Sequence, residues 1–189
     1  MDKINEILKN DGVISFVTDT VWGVGCLPTS EKAVEKIYEI KGRDRSKPLI
    51  LMSNSLENLL PYVENMSVSQ KEFAKKYFPG AITLVLNKTD KAQDYLTSGM
   101  KTVGIRVPNN SVFAKICENI DGHVLATTSA NLSNCPSAKN YKEALEFIGD
   151  YVDYVVPNEE DGAKGLESTV VLFVDDNVKI LRQGAIVLD

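Results

Sequence analysis

One histidine and three cysteines are all that this 189-residue chain has of the side chains that most often bind metals or attack carbonyls. The histidine, His123, lies between Gly122 and the apolar run Val124-Leu-Ala126, where a structural place at a strand edge is expected. A protein-held zinc site needs a close-spaced set of His and Cys ligands, which is missing. A Ser-His-Asp triad would have to use His123, and no Gly-x-Ser-x-Gly turn exists to present the serine. The chain also lacks a Gly-x-x-x-x-Gly-Lys-Ser/Thr loop and a Gly-x-Gly-x-x-Gly after a strand, which excludes ordinary P-loop and dinucleotide sites. Cys26, Cys117 and Cys135 are an odd, widely spaced set without Cys-x-x-Cys, and read as free thiols in a reducing compartment. The clean apolar run Leu49-Ile-Leu-Met52 is far too short to span a membrane. The opening Met1-Asp-Lys-Ile-Asn-Glu-Ile-Leu8 lacks the basic-then-apolar layout of a secretion signal. A cytoplasmic protein without a membrane partner is expected.

What the chain does have is charge in an unusual place. It is acidic overall, with 21 Lys and Arg against 26 Asp and Glu, yet it sets four cations in the seven residues Lys41-Gly-Arg-Asp-Arg-Ser-Lys47, before Pro48. Lys41, Arg43, Arg45 and Lys47 alternate, so in an extended segment they would share one side. Gly42 is suited to end a helix and Pro48 disfavours one, which makes extension the expectation. A same-side row of cations repels itself unless an anion lies across it, and a polyphosphate is a natural candidate. The bland alternative is a solvated charged loop. The net charge of −5 argues against non-specific nucleic-acid binding, though not against a local basic groove.

Periodicity supplies the elements. Residues 2–9 put Ile4, Ile7 and Leu8 on one helical face. Ser30 is placed to cap a helix running to Gly42, and Asn110 one carrying Val112, Phe113, Ile116, Cys117 and Ile120. Residues 69–78 and 140–149 also read as helices. Strands are expected at 13–17, 49–52, 81–86, 103–107, 124–127, 151–156, 168–174 and 178–181. The sum is one α/β domain over residues 1–189, a twisted mixed open sheet with flanking helices.

Polar residues gather where these strands end, the place where open α/β sheets bind ligands. Thr18-Asp-Thr20 follows the first strand and the cation run precedes the second. Thr102 and Arg106 bracket 103–107, Thr127-Thr-Ser-Ala-Asn131 follows 124–127, Ser168-Thr169 opens a strand, and Arg182 closes the last. Each alone has an ordinary reading as turn, cap or surface ion pair. Together, small hydroxyls and several arginines without His or Cys point to a phosphate-bearing ligand held by charge and hydrogen bonds.

Six segments in order carry a resemblance. Thr18-Asp-Thr-Val-Trp-Gly-Val-Gly25, Lys41-Gly-Arg-Asp-Arg-Ser-Lys-Pro-Leu49, Phe78-Pro-Gly-Ala-Ile-Thr-Leu-Val85, Val103-Gly-Ile-Arg-Val-Pro108, Ser129-Ala-Asn-Leu-Ser133, and Ser168-Thr-Val-Val171 with Arg182-Gln-Gly184 resemble the YrdC/Sua5/TsaC family of threonylcarbamoyl-AMP synthases, in the short, single-domain form. The resemblance runs from about Gly12 to Ile186. It implies a YrdC-like fold with a large basic cavity. It also implies a nucleotidyltransferase that makes L-threonylcarbamoyladenylate and pyrophosphate from L-threonine, bicarbonate or CO2, and ATP. The product would pass to a transferase complex that modifies adenosine 37 of tRNAs reading ANN codons. Mg²⁺ is expected with ATP, without a protein metal cage.

The resemblance also divides the site. Thr20, Arg106, Thr127 and Ser168 fall at threonine contacts, Arg106 on the carboxylate and Thr127 through its backbone. Lys41, Arg43, Lys47, Thr102, Ser129, Asn131, Ser137 and Arg182 fall at nucleotide contacts, with Lys41 and Arg43 against the phosphates as the catalytic cations. The chain departs from the family pattern at Trp22, Cys26-Leu27, Thr127-Thr128 and Asn134, where Tyr, a small or acidic pair, Ala-Pro and Gly are more usual. Two alternatives stay open: a non-catalytic module that binds double-stranded RNA or tRNA, and a carbamoyl-adenylate enzyme like the YrdC-like domain of hydrogenase maturation proteins.

Overall fold

Short apolar strands alternate with helices, most of which start at a capping polar side chain, and the computed structural model, which describes residues 1–133, 135–158, 163–174 and 176–188, follows that alternation. Asn134 lies outside the described residues. Helix α1 (Asp2–Lys9) buries Ile4 and Leu8. Strands β1 (Ile14–Phe16) and β2 (Gly23–Cys26) are antiparallel neighbours. Helix α2 (Glu31–Lys41) starts at Ser30, whose hydroxyl accepts the Ala33 N–H at 3.0 Å. Next come β3 (Ile50–Ser53), α3 (Val68–Tyr77), β4 (Ile82–Asn87), the single turn α4 (Asp94–Thr97), β5 (Thr102–Arg106), α5 (Ser111–Glu118) and β6 (Val124–Ser129). Ser67 and Gln70 form a reciprocal cap on α3, and Asn110 caps α5 by accepting the Phe113 N–H. Helix α6 (Tyr141–Ile148) starts at Asn140, and β7 (Tyr154–Val155), β8 (Thr169–Val174) and β9 (Asn177–Arg182) follow.

Among the described residues the nine strands make one mixed sheet in the order β7-β1-β2-β6-β3-β5-β4-β8-β9. Pairs β1–β7, β3–β5 and β4–β8 are parallel and the other neighbours antiparallel. Successive strand residues point to opposite faces, and the core divides accordingly. Met52 and Leu125 pack with Ile4 and Leu8 of α1 and Phe113, Ile116 and Cys117 of α5. Their chain neighbours Leu51, Val124 and Ala126 belong to the other cluster, with Ala33, Val34, Ile37 and Tyr38 of α2, Leu96 of α4 and Ala144 and Ile148 of α6. By the strand register, Gly23, Ile50, Met52, Arg106, Thr127 and Ser129 share the α1/α5 side of the sheet, and these residues line a cavity there. Gly23 keeps that side low. A Cβ on it would stand 2.9 Å from the Phe16 ring.

His123 occupies the turn before β6, with Nδ1 2.8 Å from the Cys117 carbonyl oxygen. Cys26 and Cys117 are buried, which pushes both thiols up to about 12, while Cys135 is exposed.

Candidate active site

The end of α2 builds the first wall of the cavity. Its last residue, Lys41, is followed by Gly42 at φ 54 and ψ 37, a left-handed conformation that glycine adopts without the steric cost of a Cβ. The extended row expected of the four cations is therefore not formed. Lys41 is still helical, and residues 44–47 close a tight turn. In it the Lys47 N–H donates to the Asp44 carbonyl at 3.1 Å, and the Asp44 carboxylate accepts the Ser46 N–H at 2.8 Å. The turn sends Arg45 outward to an ion pair with Glu35, and leaves Lys41, Arg43 and Lys47 on a cavity of about 330 Å³.

Lys41 is 3% exposed. Its Nζ donates to the Ser129 carbonyl at 2.5 Å, the Asn131 carbonyl at 2.6 Å and Asn131 Oδ1 at 2.8 Å, so each ammonium proton has an acceptor. Ser129 Oγ donates to Asn131 Oδ1 at 2.7 Å, and the Ser133 N–H returns to the Lys41 carbonyl at 2.8 Å. The turn after β6 is thus tied to the end of α2. Burial, helped by the neighbouring Arg43, lowers the Lys41 ammonium to about 7, and Glu167 opposes the shift. Arg43 donates Nε to the Lys47 carbonyl and Nη2 to the Pro48 carbonyl, each at 3.2 Å. Among the described residues, three of its five guanidinium N–H groups remain for a ligand.

The deepest cation is Arg106 at the end of β5, 2% exposed. Nε donates to the Gly80 carbonyl at 3.1 Å, Nη1 to Thr20 Oγ1 at 2.8 Å and Nη2 to Asp19 Oδ1 at 2.5 Å. Among the described residues this leaves one N–H on each terminal nitrogen, the pair that a carboxylate takes bidentately. Burial acts to lower the Arg106 pKa, and Asp19 opposes it. A guanidinium this deep needs such a counter-ion.

Ser168, immediately before β8, shares a 2.8 Å hydrogen bond with Thr83. Arg182, the last residue of β9, donates Nε and Nη2 to the Ser168 carbonyl at 3.2 and 2.9 Å and Nη1 to Glu167 at 2.5 Å. Thr127 Oγ1 donates to the Ile50 carbonyl at 2.9 Å. The structure therefore brings Thr20, Lys41, Arg43, Lys47, Arg106, Thr127, Ser129, Asn131, Ser168 and Arg182 to one cavity. Ser137 stands behind it, 3.3 Å from Glu167, which lines it. Thr102 does not line the cavity; it opens β5 opposite Asn87, at the far end of the strand from Arg106. Trp22 is 1% exposed and packs on Tyr141 with ring centroids 5.8 Å apart, so its indole belongs chiefly to the core. Sequence reasoning did not single out Asp19 or Glu167. An acid beside a proposed site hydroxyl, in Asp19-Thr20 and Glu167-Ser168, is the signal that was there to use.

The Sua5/YciO/YrdC family model, described as telomere recombination, matches residues 6–184. The chain belongs to this family. Among its relatives, a protein of Idiomarina loihiensis named threonylcarbamoyl-AMP synthase is 36% identical over 154 residues, covering 80% of this chain and 82% of its own. The structure of P. abyssi Sua5 complexed with L-threonine is 30% identical with a TM-score of 0.87, and covers 96% of this chain and 54% of that one. E. coli YciO is 26% identical with a TM-score of 0.85, and covers 97% and 89%. The shared Sua5/YciO/YrdC fold thus extends over nearly the whole sheet and its helices.

Proposed function

We propose that this family member is an L-threonylcarbamoyladenylate synthase, forming threonylcarbamoyl-AMP and pyrophosphate from L-threonine, bicarbonate or CO2, and ATP. The observation that carries the reading is Arg106, which among the described residues keeps one uncommitted N–H on each terminal nitrogen, in the same cavity as Arg43, Lys47 and Arg182. One end is suited to an amino-acid carboxylate and the other to phosphates. The naming of relatives at 30% identity and above, and the threonine-bound P. abyssi Sua5, point the same way.

The chemistry asks for little proton transfer by protein side chains. The threonine amine adds to CO2, losing a proton, and gives a carbamate. A carbamate oxygen then forms a bond to the α-phosphorus as the bond to pyrophosphate breaks. Holding the short-lived carbamate against the phosphate can contribute about 7–11 kcal/mol in the best-oriented intramolecular cases. Fixed cations stabilise the charge that develops on the phosphates. Among the described residues Glu167 is the one carboxylate lining the cavity, so Mg²⁺ arriving with ATP would keep phosphate and water as its main ligands. We further propose that the product goes to a transferase complex modifying adenosine 37 of tRNAs reading ANN codons, and that the protein works in the cytoplasm. Among the described residues no helix is long and apolar enough to cross a membrane.

The test is pyrophosphate release from ATP and Mg²⁺ with each amino acid in turn, with and without bicarbonate. L-threonine with bicarbonate is expected to be the best pair, L-serine poorer, and L-valine poorer by a wide margin. Equal kcat/KM for valine and threonine would refute the substrate. Absence of release, alongside tRNA binding with a steep salt dependence, would favour an RNA-binding module.

A further inference from the structure

We propose that Thr18 is a specificity-determining residue acting through Thr20: it accepts the hydrogen bond of the Thr20 hydroxyl and so fixes that hydroxyl as a hydrogen-bond acceptor towards the ligand. The inference rests on the threonine half-site proposed above and adds to it the sign of one contact. The direction follows from counting protons. Thr18 Oγ1 lies 2.6 Å from the Val21 carbonyl oxygen, which can only accept, so the Thr18 proton is committed there. The 3.0 Å contact between the two hydroxyls must then be donated by Thr20. Arg106 Nη1 donates to Thr20 Oγ1 at 2.8 Å and occupies one lone pair. A hydroxyl has one proton and two lone pairs. Thr20, which lines the cavity, therefore offers a ligand one lone pair and no proton.

Beside it, Arg106 offers two N–H groups. The complement is a molecule with a carboxylate and, on the adjacent carbon, a group that donates. An α-amino acid fits. So does its carbamate, because R–NH2 adding CO2 to give R–NH–COO⁻ and a proton keeps one N–H. A single fixed acceptor thus serves the amino acid before and after carbamoylation. A 2-oxo acid has the same carboxylate but only lone pairs at that carbon, and meets Thr20 acceptor to acceptor.

The test measures dissociation constants of L-2-aminobutyrate and 2-oxobutyrate by calorimetry on the whole protein, with KM for ATP and for L-threonine. The wild type is expected to prefer the amino acid by about tenfold or more, the scale of a polar contact left unpaired in a buried site. Thr18→Val keeps the shape and removes the proton sink, so the Thr20 proton becomes free to turn to the cavity. The preference is then expected to fall by about tenfold, with KM for threonine raised and KM for ATP unchanged. Thr18→Ser restores the hydroxyl and should restore the preference. A merely structural defect would weaken both ligands alike and leave their ratio in place. Thr18→Val and Thr18→Ala both strand the Thr20 N–H, which donates to Thr18 Oγ1 at 3.2 Å, and differ in packing, so the same fall in the ratio in both, with recovery in Thr18→Ser, separates the lost hydroxyl from a packing defect. A wild type that prefers the amino acid, with an unchanged preference in Thr18→Val and Thr18→Ala, overturns the role of Thr18 alone. A wild type that binds neither probe and releases no pyrophosphate with threonine overturns the half-site reading and this inference together.

Discussion

Lys41 is the residue whose charge state matters most near neutrality. Its ammonium sits at about 7, far below a free lysine, because burial and Arg43 disfavour the cation. A polyphosphate bound in the same cavity would favour the cation and raise that value. The bound state then holds more protons than the free state between about pH 7 and the raised value, so ATP binding should take up protons near pH 7.5 and weaken as pH climbs. Calorimetry in buffers of different ionisation enthalpy measures the uptake, and Lys41→Met should abolish it. No uptake in the wild type would place the phosphates away from Lys41. Residue identities at this scale were largely legible, because a cluster of cations in an acidic chain asks for an anion. The partners were not. Lys41 is held by two backbone carbonyls and the Asn131 amide oxygen, and carbonyls leave no trace in a sequence. Asp19 is legible only once Arg106 is known to be buried beside it.

At the scale of elements, the end of α2 decides where two of the site cations, Lys41 and Arg43, go. Gly42 turns the chain so that Lys41 faces the cavity from the last turn of α2 while Arg43 enters it from the loop. A Cβ at position 42 would meet no atom within 4 Å, so Gly42→Ala acts through backbone conformation alone. The left-handed φ is expected to cost about 1 kcal/mol or slightly more of folding free energy. Urea unfolding should show this as a lower midpoint with an unchanged slope. KM for ATP should rise as Arg43 shifts. An unchanged midpoint would mean that the turn re-forms without strain. Elements with apolar periodicity and a polar start, α2 and α5 above all, were readable in advance. Strand β2 was not, because Gly23 and Gly25 disguise it; their missing side chains leave room for the Phe16 ring. The single-turn α4 is too short for periodicity to register. The cation row expected to be extended from Gly42 and Pro48 is folded instead: Gly42 does end α2, but Lys41 still belongs to the helical pattern that Ser30 begins, and the turn from Asp44 to Lys47 folds the rest.

For the whole molecule, two ligands in one cavity should stabilise the fold together. A ligand that binds only the folded state adds about 2.7 kcal/mol at a hundredfold excess over Kd. ATP with L-threonine is expected to raise Tm more than ATP alone. Arg43→Ala should remove most of the ATP shift. Arg106→Lys keeps a cation opposite Asp19 and loses the fork, so it should remove the threonine increment and keep the ATP shift. The reverse pattern would show the two half-sites exchanged. The mixed sheet was legible from the alternation of strands and helices, whereas its strand order depends on contacts remote in sequence, such as β4 against β8. One consequence concerns the rim of that sheet. Arg182 ends β9, which among the described residues is an edge strand with β8 as its one neighbour and has all six of its residues exposed, Val178, Ile180 and Leu181 among them. Edge strands can open locally while the rest of a protein stays folded. On the proposed function, a phosphate held by Arg182 would be let go by the fraying of this one strand, on a timescale set by local rather than global stability.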